Sequence, residues 1–259
     1  MTKIMKTQFI KLRKDKISLL TFFGLLFISM CLVYMFTSGI NLDNMRTGGE
    51  EVLPMITMFQ LLSQFFLYVV TAQICGADFM DKTCNYEILS GHTRKNVFFG
   101  RAITAIIVGT VGTMFLTAAP AVVQVMILGW GDKVSFGEVL LRYLLMAFPI
   151  ARIVCEYIFL TFIIKNPYIV MGISYLFCML LGMNIPMEPG NHYILGMTNI
   201  TMLTSVDMWA SFGLGGDIYY IYETSLSPYE IIMTVAVSVA VCAAALFLGY
   251  MFFKNDDMN

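Results

Sequence analysis

The sequence predicts an all-α integral membrane protein. Six transmembrane helices are expected, with an amphipathic helix at the interface before them, a cytoplasmic helix after the second and an external hairpin before the last. Three observations carry this. Apolar residues make up 58% of the chain and charged residues 13%, where a soluble domain carries roughly 25% charged. Six apolar runs approach the ~20 residues that one crossing needs. Lysine and arginine collect in alternate connections, as they do when a chain weaves through a bilayer. The whole chain, 1–259, then reads as one transmembrane domain.

Taken in order, residues 1–16 hold Lys3, Lys6, Lys11, Arg13, Lys14 and Lys16 around Met5, Phe9 and Leu12, which share one helical face. That pattern fits a basic helix lying on the membrane surface, and equally a plain positively charged anchor; the two readings are compatible. The first span, 17–37, has no charge. It is longer than a signal-peptide core and no small-x-small cleavage site follows it, so it is expected to stay. The second span is 52–75. The third, 98–130, exceeds a straight crossing, with Arg101 expected to snorkel at its start and Pro120 to kink it. The fourth is 140–164, the fifth the short run 168–185, and the sixth 231–253.

Orientation follows from the basic residues. The N-terminal cluster, Lys82, Arg94 and Lys95, Lys165 and Lys254 fall on one side. Arg46, Lys133 and the span-edge Arg142 fall on the other, and 186–230 has no basic residue. Both termini are therefore expected in the cytoplasm. Residues 186–230 are expected outside. Pro186, Pro189 and Gly190 end the fifth span, and Glu188, Asp207, Asp217, Glu223 and Glu230 make the segment acidic. Within it 193–214 is apolar enough to be weighed as a crossing. Thr198, Asn199, Thr201, Thr204, Ser205 and Asp207 are too polar for a lipid-facing span. An external hairpin dipping into the interface is expected instead, with Trp209, Tyr219, Tyr220 and Tyr222 at headgroup depth.

Little in the chain suggests chemistry. The six cysteines form no CxxC and lie mostly in or beside spans, as small apolar fillers. His92 and His192 stand alone, so no metal site is expected. The glycines of 212–217 lack the Lys-Ser/Thr of a phosphate loop. An intramembrane enzyme would need a Ser/His or Asp/Asp pair, or a His/Glu cluster, at one depth. No such set appears, and neither enzyme activity nor a nucleic-acid partner is expected.

The densest interior charge lies in 77–97. Asp78 and Phe79 follow the second span, Lys82-Thr83 breaks the chain, and Thr83 can cap a new helix. Tyr86, Ile88 and Leu89 give that helix an apolar side, and Ser90-Gly91 ends it. Arg94 and Lys95 then lead into the third span. A loop lying on the headgroups would fit the same residues.

This pattern resembles the permease subunits of ABC-2 type transporters, and more narrowly those grouped with bacitracin-resistance and lantibiotic-immunity exporters. The order Asp78-Phe79, Lys82-Thr83, Leu89, Gly91, Arg94, Arg101 matches the family's acidic-aromatic pair, Gly-Thr, Leu, Gly, Arg and basic residue. Lys82 stands where Gly is usual and Arg101 where Lys is usual. The resemblance implies that Asp78, Phe79, Lys82, Thr83, Tyr86, Ile88, Leu89, Gly91 and Arg94 form a coupling helix seated in a separate cytosolic ATPase. It also implies ATP and Mg on that partner with no cofactor in this chain, and a second permease copy or paralogue. An amphiphilic substrate, such as a peptide antibiotic, bacteriocin or lipid-like molecule, would be exported across a bacterial plasma membrane.

Two further features stand out. Arg152 and Glu156 lie one turn apart near the middle of the fourth span, where an unpaired charge costs a few kcal/mol or more. Pro149, one turn earlier, frees a backbone carbonyl. The pair fits a polar wall of a translocation path, a latch between dimer halves, or a glue between helices of one subunit. It also keeps open an ion-coupled carrier, with a non-transporting sensor or anchor as the plainest alternative. In the sixth span Ala236, Ala240 and Ala244 form a stripe that would let a helix pack closely, inside the subunit or at a dimer seam.

Overall fold

The computed structural model describes residues 2–38, 48–80, 87–132, 134–184, 191–204 and 226–255, with backbone alone at Phe36, Ser38, Asp78, Met80, 177–184 and Asn191. Helices α1 (Thr2–Lys14), α2 (Lys16–Ser38), α3 (Gly48–Cys75) and α4 (Ala77–Met80) come first. Then follow α5 (Arg94–Leu128), α6 (Phe136–Leu145), α7 (Ala147–Ile164), α8 (Pro167–Asn184), α9 (Gly196–Thr204) and α10 (Pro228–Lys254). No strand occurs among the described residues.

Among the described residues five stretches are long and apolar enough to cross a membrane: Lys16–Met35, Gly48–Cys75, Arg94–Leu128, Phe136–Ile164 and Pro228–Lys254. The expected span 168–185 is helical as α8, with its side chains described only to Leu176. The protein is thus an all-α, multi-pass membrane protein.

Sequence decides which helix takes the centre. In α3, 72% of the apolar window is buried, against 17% in α2 and in α10. Helix α3 carries Thr57, Gln60, Ser63, Gln64, Tyr68 and Thr71, all buried. Lipid offers such groups no hydrogen bond, so the helix is driven inward. Helices α2 and α10 are apolar on nearly every side and can face lipid. Helix α3 packs most extensively against α5, and α10 against α7.

The helix ends have local causes. Asp15 separates α1 from α2 and caps the latter, its carboxylate accepting from the backbone N–H of Ile17 at 3.2 Å and Ser18 at 3.1 Å. The face of α1 that packs inward is Ile4 and Gln8, while Phe9 of the expected apolar face stays exposed. Helix α5 starts four residues earlier than expected, because Thr93 caps it by accepting from Asn96 N–H, and it continues through Pro120 to Leu128. Helix α10 begins with a capping box between Ser227 and Glu230, with Pro228 in its first turn.

The expected fourth span is two helices. The chain breaks at Met146, between α6 and α7. Pro149 has no N–H for the carbonyl of Leu145, and its ring crowds that carbonyl, so the first helix stops there. At the same end of the bundle as α6, the backbone N–H of Gly48 donates to Gly129 at 2.7 Å and that of Gly49 to Trp130 at 2.9 Å. A Cβ on Gly48 would stand 2.5 Å from the Gly129 carbonyl oxygen, so this close approach needs glycine.

The stripe Ala236, Ala240, Ala244 is exposed on α10. The buried face of that helix is Thr234, Ser238, Ala245, Gly249 and Phe253. Gly249 lets α10 approach the backbone of Phe159 on α7, where a Cβ would lie 3.5 Å from that Cα. Among the described residues the alanine stripe therefore does not form the packed face of α10.

Candidate functional site: an internal clamped helix and a ring cluster at the bundle end

Within the segment expected to form an external hairpin, residues 196–204 are helical and packed inside the bundle. Every residue of α9 is buried. Thr57 on α3 donates to Thr204 Oγ1 at 2.6 Å, and Gln64 Nε2 approaches Met197 Sδ at 2.7 Å. The two contacts are separated equally along both helices, so α9 runs antiparallel to α3 and in step with it. Gln64 lies near the middle of α3, so the chain reaches deep into the bundle before α9 turns back. Polar residues unfit for lipid can sit at this depth because protein surrounds them. The remaining aromatic part of the expected hairpin, with Trp209, Tyr219, Tyr220 and Tyr222, lies outside the described residues.

Two arginines hold the two ends of α9. Arg142 Nη1 donates to the Leu203 carbonyl at 3.1 Å, satisfying a last-turn acceptor that the helix itself leaves open. Arg152 Nη1 donates to the Tyr193 carbonyl at 2.9 Å and its Nη2 to the Ile194 carbonyl at 2.5 Å, in the turn that leads into α9. Each arginine also keeps a carboxylate one turn away. Arg142 pairs with Glu138 at 3.1 Å and Arg152 with Glu156 at 2.8 Å. Arg152 therefore serves within the chain as a clamp. Glu156 is 34% exposed on a groove of about 270 Å³ between α7 and the start of α9.

The seam between α3 and α9 continues in side chains. Tyr157 on α7 donates to the Tyr68 hydroxyl at 2.8 Å, and Tyr68 donates to Gln64 Oε1 at 3.0 Å. The Gln60 side-chain amide and Asn199 Oδ1 are buried and have no hydrogen-bond partner among the described residues. On the turn Asn191–Tyr193, burial lowers the His192 imidazole pKa, and the nearby Glu230 charge opposes that shift. Among the described residues no group of three or more His, Cys, Asp or Glu side chains is placed to hold a metal ion.

The opposite end carries most of 77–97. Phe79 on α4 meets Phe162 of α7 at 5.5 Å between ring centres and Phe253 of α10 at 6.2 Å. Phe98 of α5 meets the same two rings at 4.6 and 6.0 Å. Four helices thus share one aromatic cluster. Residues 87–89 form a helical turn, closed as expected by Gly91, whose φ is +94°. Gly91 N–H donates to Ile88 and His92 N–H to Glu87, the pairing of a Schellman motif. Leu89 is 80% exposed, whereas Ile88 is partly buried against the core. Only one of the two described apolar residues therefore points away from the protein.

Two charged contacts fasten this turn. Arg101 does not snorkel: its side chain is fully buried and Nη2 lies 2.8 Å from Glu87 Oε2. The turn brings a carboxylate back over α5, so the guanidinium is paired inward instead of reaching for water. Arg94 Nη1 donates to the Lys254 carbonyl at 2.7 Å, joining the turn to the end of α10. Lys82, Thr83 and Tyr86 lie outside the described residues, as does the side chain of Asp78.

Several of these residues escaped the sequence reading. In the sequence Arg142 marks only the edge of a span. The polar stripe of α3 was legible at helical spacing and calls for a polar neighbour. Phe162 and Phe253 carry no local signal among 21 phenylalanines. No family model, no curated protein and no solved structure matches this chain.

Proposed function

We propose that the chain is the membrane-spanning permease subunit of an ATP-driven ABC-2 type exporter. In this reading it crosses a bacterial plasma membrane six times, with both termini in the cytoplasm. It pairs with a second copy or a paralogue, and separate cytosolic ATPase subunits bind ATP and Mg. The substrate is an amphiphile such as a peptide antibiotic, a bacteriocin or a lipid-like molecule.

One observation carries this reading. The 87–94 turn offers an exposed Leu89, while its flanks are fixed to the ends of α5, α7 and α10. A push on such a turn reaches several spans at once, which is what a coupling element requires. The charges and the exposed leucine suit a small interface with an apolar centre and a polar rim.

Leu89→Asp is the cleanest test, because Arg94 also has work inside the chain. The expected result is that a cytosolic ATPase co-purifies with the native protein and is lost from the variant, with membrane insertion and thermal stability within about 0.5 kcal/mol of wild type. If gentle purification from the native membrane never brings an ATPase, the proposal fails.

The internal helix favours one second reading, an ion-coupled carrier. Short helices ending inside a bundle recur at the binding sites of such carriers. Transport in sealed vesicles driven by an imposed proton gradient, with no nucleotide, would select it.

A further inference from the structure

Two of the six cysteines meet between helices far apart in the chain. Helices α7 and α10 run side by side in the same direction, with Phe159 beside Phe252 and Phe162 beside Phe253. The face that α10 turns to α7 is made of small residues. Ser238, Ala245 and Gly249 are buried on it, and the half-buried Cys242 continues the same stripe. At Gly249 the two backbones come close, since a Cβ there would lie 3.5 Å from the Phe159 Cα. One turn before Phe159 on α7 is Cys155, which is 1% exposed. Its thiol interacts directly with that of Cys242, and both cysteines are free.

The two thiols differ in what reaches them. Cys155 is enclosed by protein. Cys242 stands at the middle of α10, between the exposed Val239 and Ala243, on a helix apolar enough to cross the membrane. A group there looks into hydrocarbon. Charged or strongly hydrated oxidants are poorly soluble in that region, whereas an apolar organic hydroperoxide dissolves in it. The charges of Arg152 and Glu156 also act on Cys242, so the pair lies beside the clamp that holds the start of α9.

We propose that Cys155 and Cys242 are a site of reversible oxidation by lipid hydroperoxides. The Cys242 sulfur takes the terminal oxygen of the hydroperoxide. An S–O bond forms, the O–O bond breaks, and the thiol proton leaves with the alcohol. Cys155 then attacks the sulfenic sulfur. The S–S bond forms, the S–O bond breaks, and the hydroxyl departs with the Cys155 proton as water. Two thiols and one hydroperoxide thus give one disulfide, one alcohol and one water. The bond staples α10 to α7, and so restrains the helix whose far end carries Phe253 and the Lys254 carbonyl. The site stands independently of the transport reading.

The test uses the purified full-length chain in lipid nanodiscs, reduced, freed of reductant and exposed to cumene hydroperoxide. After quenching, the protein is denatured and its remaining thiols are counted by mass after labelling with N-ethylmaleimide. The expected result is the loss of two labels of the six, restored by dithiothreitol, with a peptide cross-link joining residues 155 and 242. Hydrogen peroxide at the same concentration should react more slowly. Cys155→Ser should abolish the cross-link and leave Cys242 as a sulfenic acid that dimedone traps, and Cys242→Ser should leave Cys155 as a thiol. Retention of all six labels overturns the proposal, as does a link to Cys31 or Cys75 in place of Cys242. Oxidation that is no slower with hydrogen peroxide, or that appears only once circular dichroism shows unfolding, overturns it too. These readings come from the native sequence, so they decide the matter even if a variant does not fold.

Discussion

The seam around α9 and the ring cluster at the bundle end solve the same problem with different forces. At the seam, hydrogen bonds join Thr57 to Thr204 and Arg142 and Arg152 to backbone carbonyls. At the other end, rings of Phe79, Phe98, Phe162 and Phe253 pack edge to face or tilted. In lipid, burying an apolar side chain brings little gain over leaving it in the bilayer, so helices are held by close packing and by polar contacts. Polar contacts fix direction and register, and a missing partner leaves a costly group behind. Ring contacts tolerate small displacements. The α9 seam thus relies on directional polar contacts, whereas the other end adds a ring cluster to its Arg101–Glu87 and Arg94–Lys254 contacts.

Removing the Arg152 clamp is the hardest blow to that comparison. Arg152→Ala frees two carbonyls and leaves Glu156 without its cation, so folded-state stability in detergent should fall by about 3 kcal/mol. Adding Glu156→Gln should recover part of the loss, because the stranded charge disappears. Thermal unfolding of the two purified variants measures both effects. If the single change costs less than 1 kcal/mol, α9 is not held by its ends.

Phe162→Ala probes the other end. The side chain is 2% exposed and touches three rings of the cluster. A cavity of that size costs about 2.5 kcal/mol. The loss should appear as faster amide exchange in 87–97 and at the end of α10, with α9 unaffected. Exchange rising equally in α9 would mean that the two ends do not respond separately.

Thr57→Val is the finest test. It deletes one interhelical bond, and Thr204 still donates to the Ile200 carbonyl at 3.1 Å. The expected cost is about 0.6 kcal/mol, the usual worth of one such bond in a membrane. A loss above 2 kcal/mol would mark the α3–α9 contact as part of a coupled network.

The crossing helices were legible because lipid tolerates so few sequences. The break at Met146 was half legible, since Pro149 announces a freed carbonyl without saying that the helix will stop. The position of α9 was not legible from its own residues. Thr198, Asn199, Thr201 and Thr204 exclude a lipid face, but water and a polar bundle interior exclude it equally well. The missing half of the evidence lay in α3, where amides and hydroxyls recur along one face and need a neighbour. For 77–97 the motif singles out Phe79 and Arg94, whereas their contacts with Phe162, Phe253 and the Lys254 carbonyl depend on chain segments far away.

The partners of α9 also carry a consequence for how the chain is made. Thr57, Gln64, Arg142 and Arg152 all precede α9 in the sequence. As the ribosome delivers the protein, the groove that accepts this helix is already synthesised when Gly196–Thr204 emerges. A segment too polar to enter the bilayer alone can then fold directly against finished helices. Among the described helices α10 alone follows, and it packs on α7.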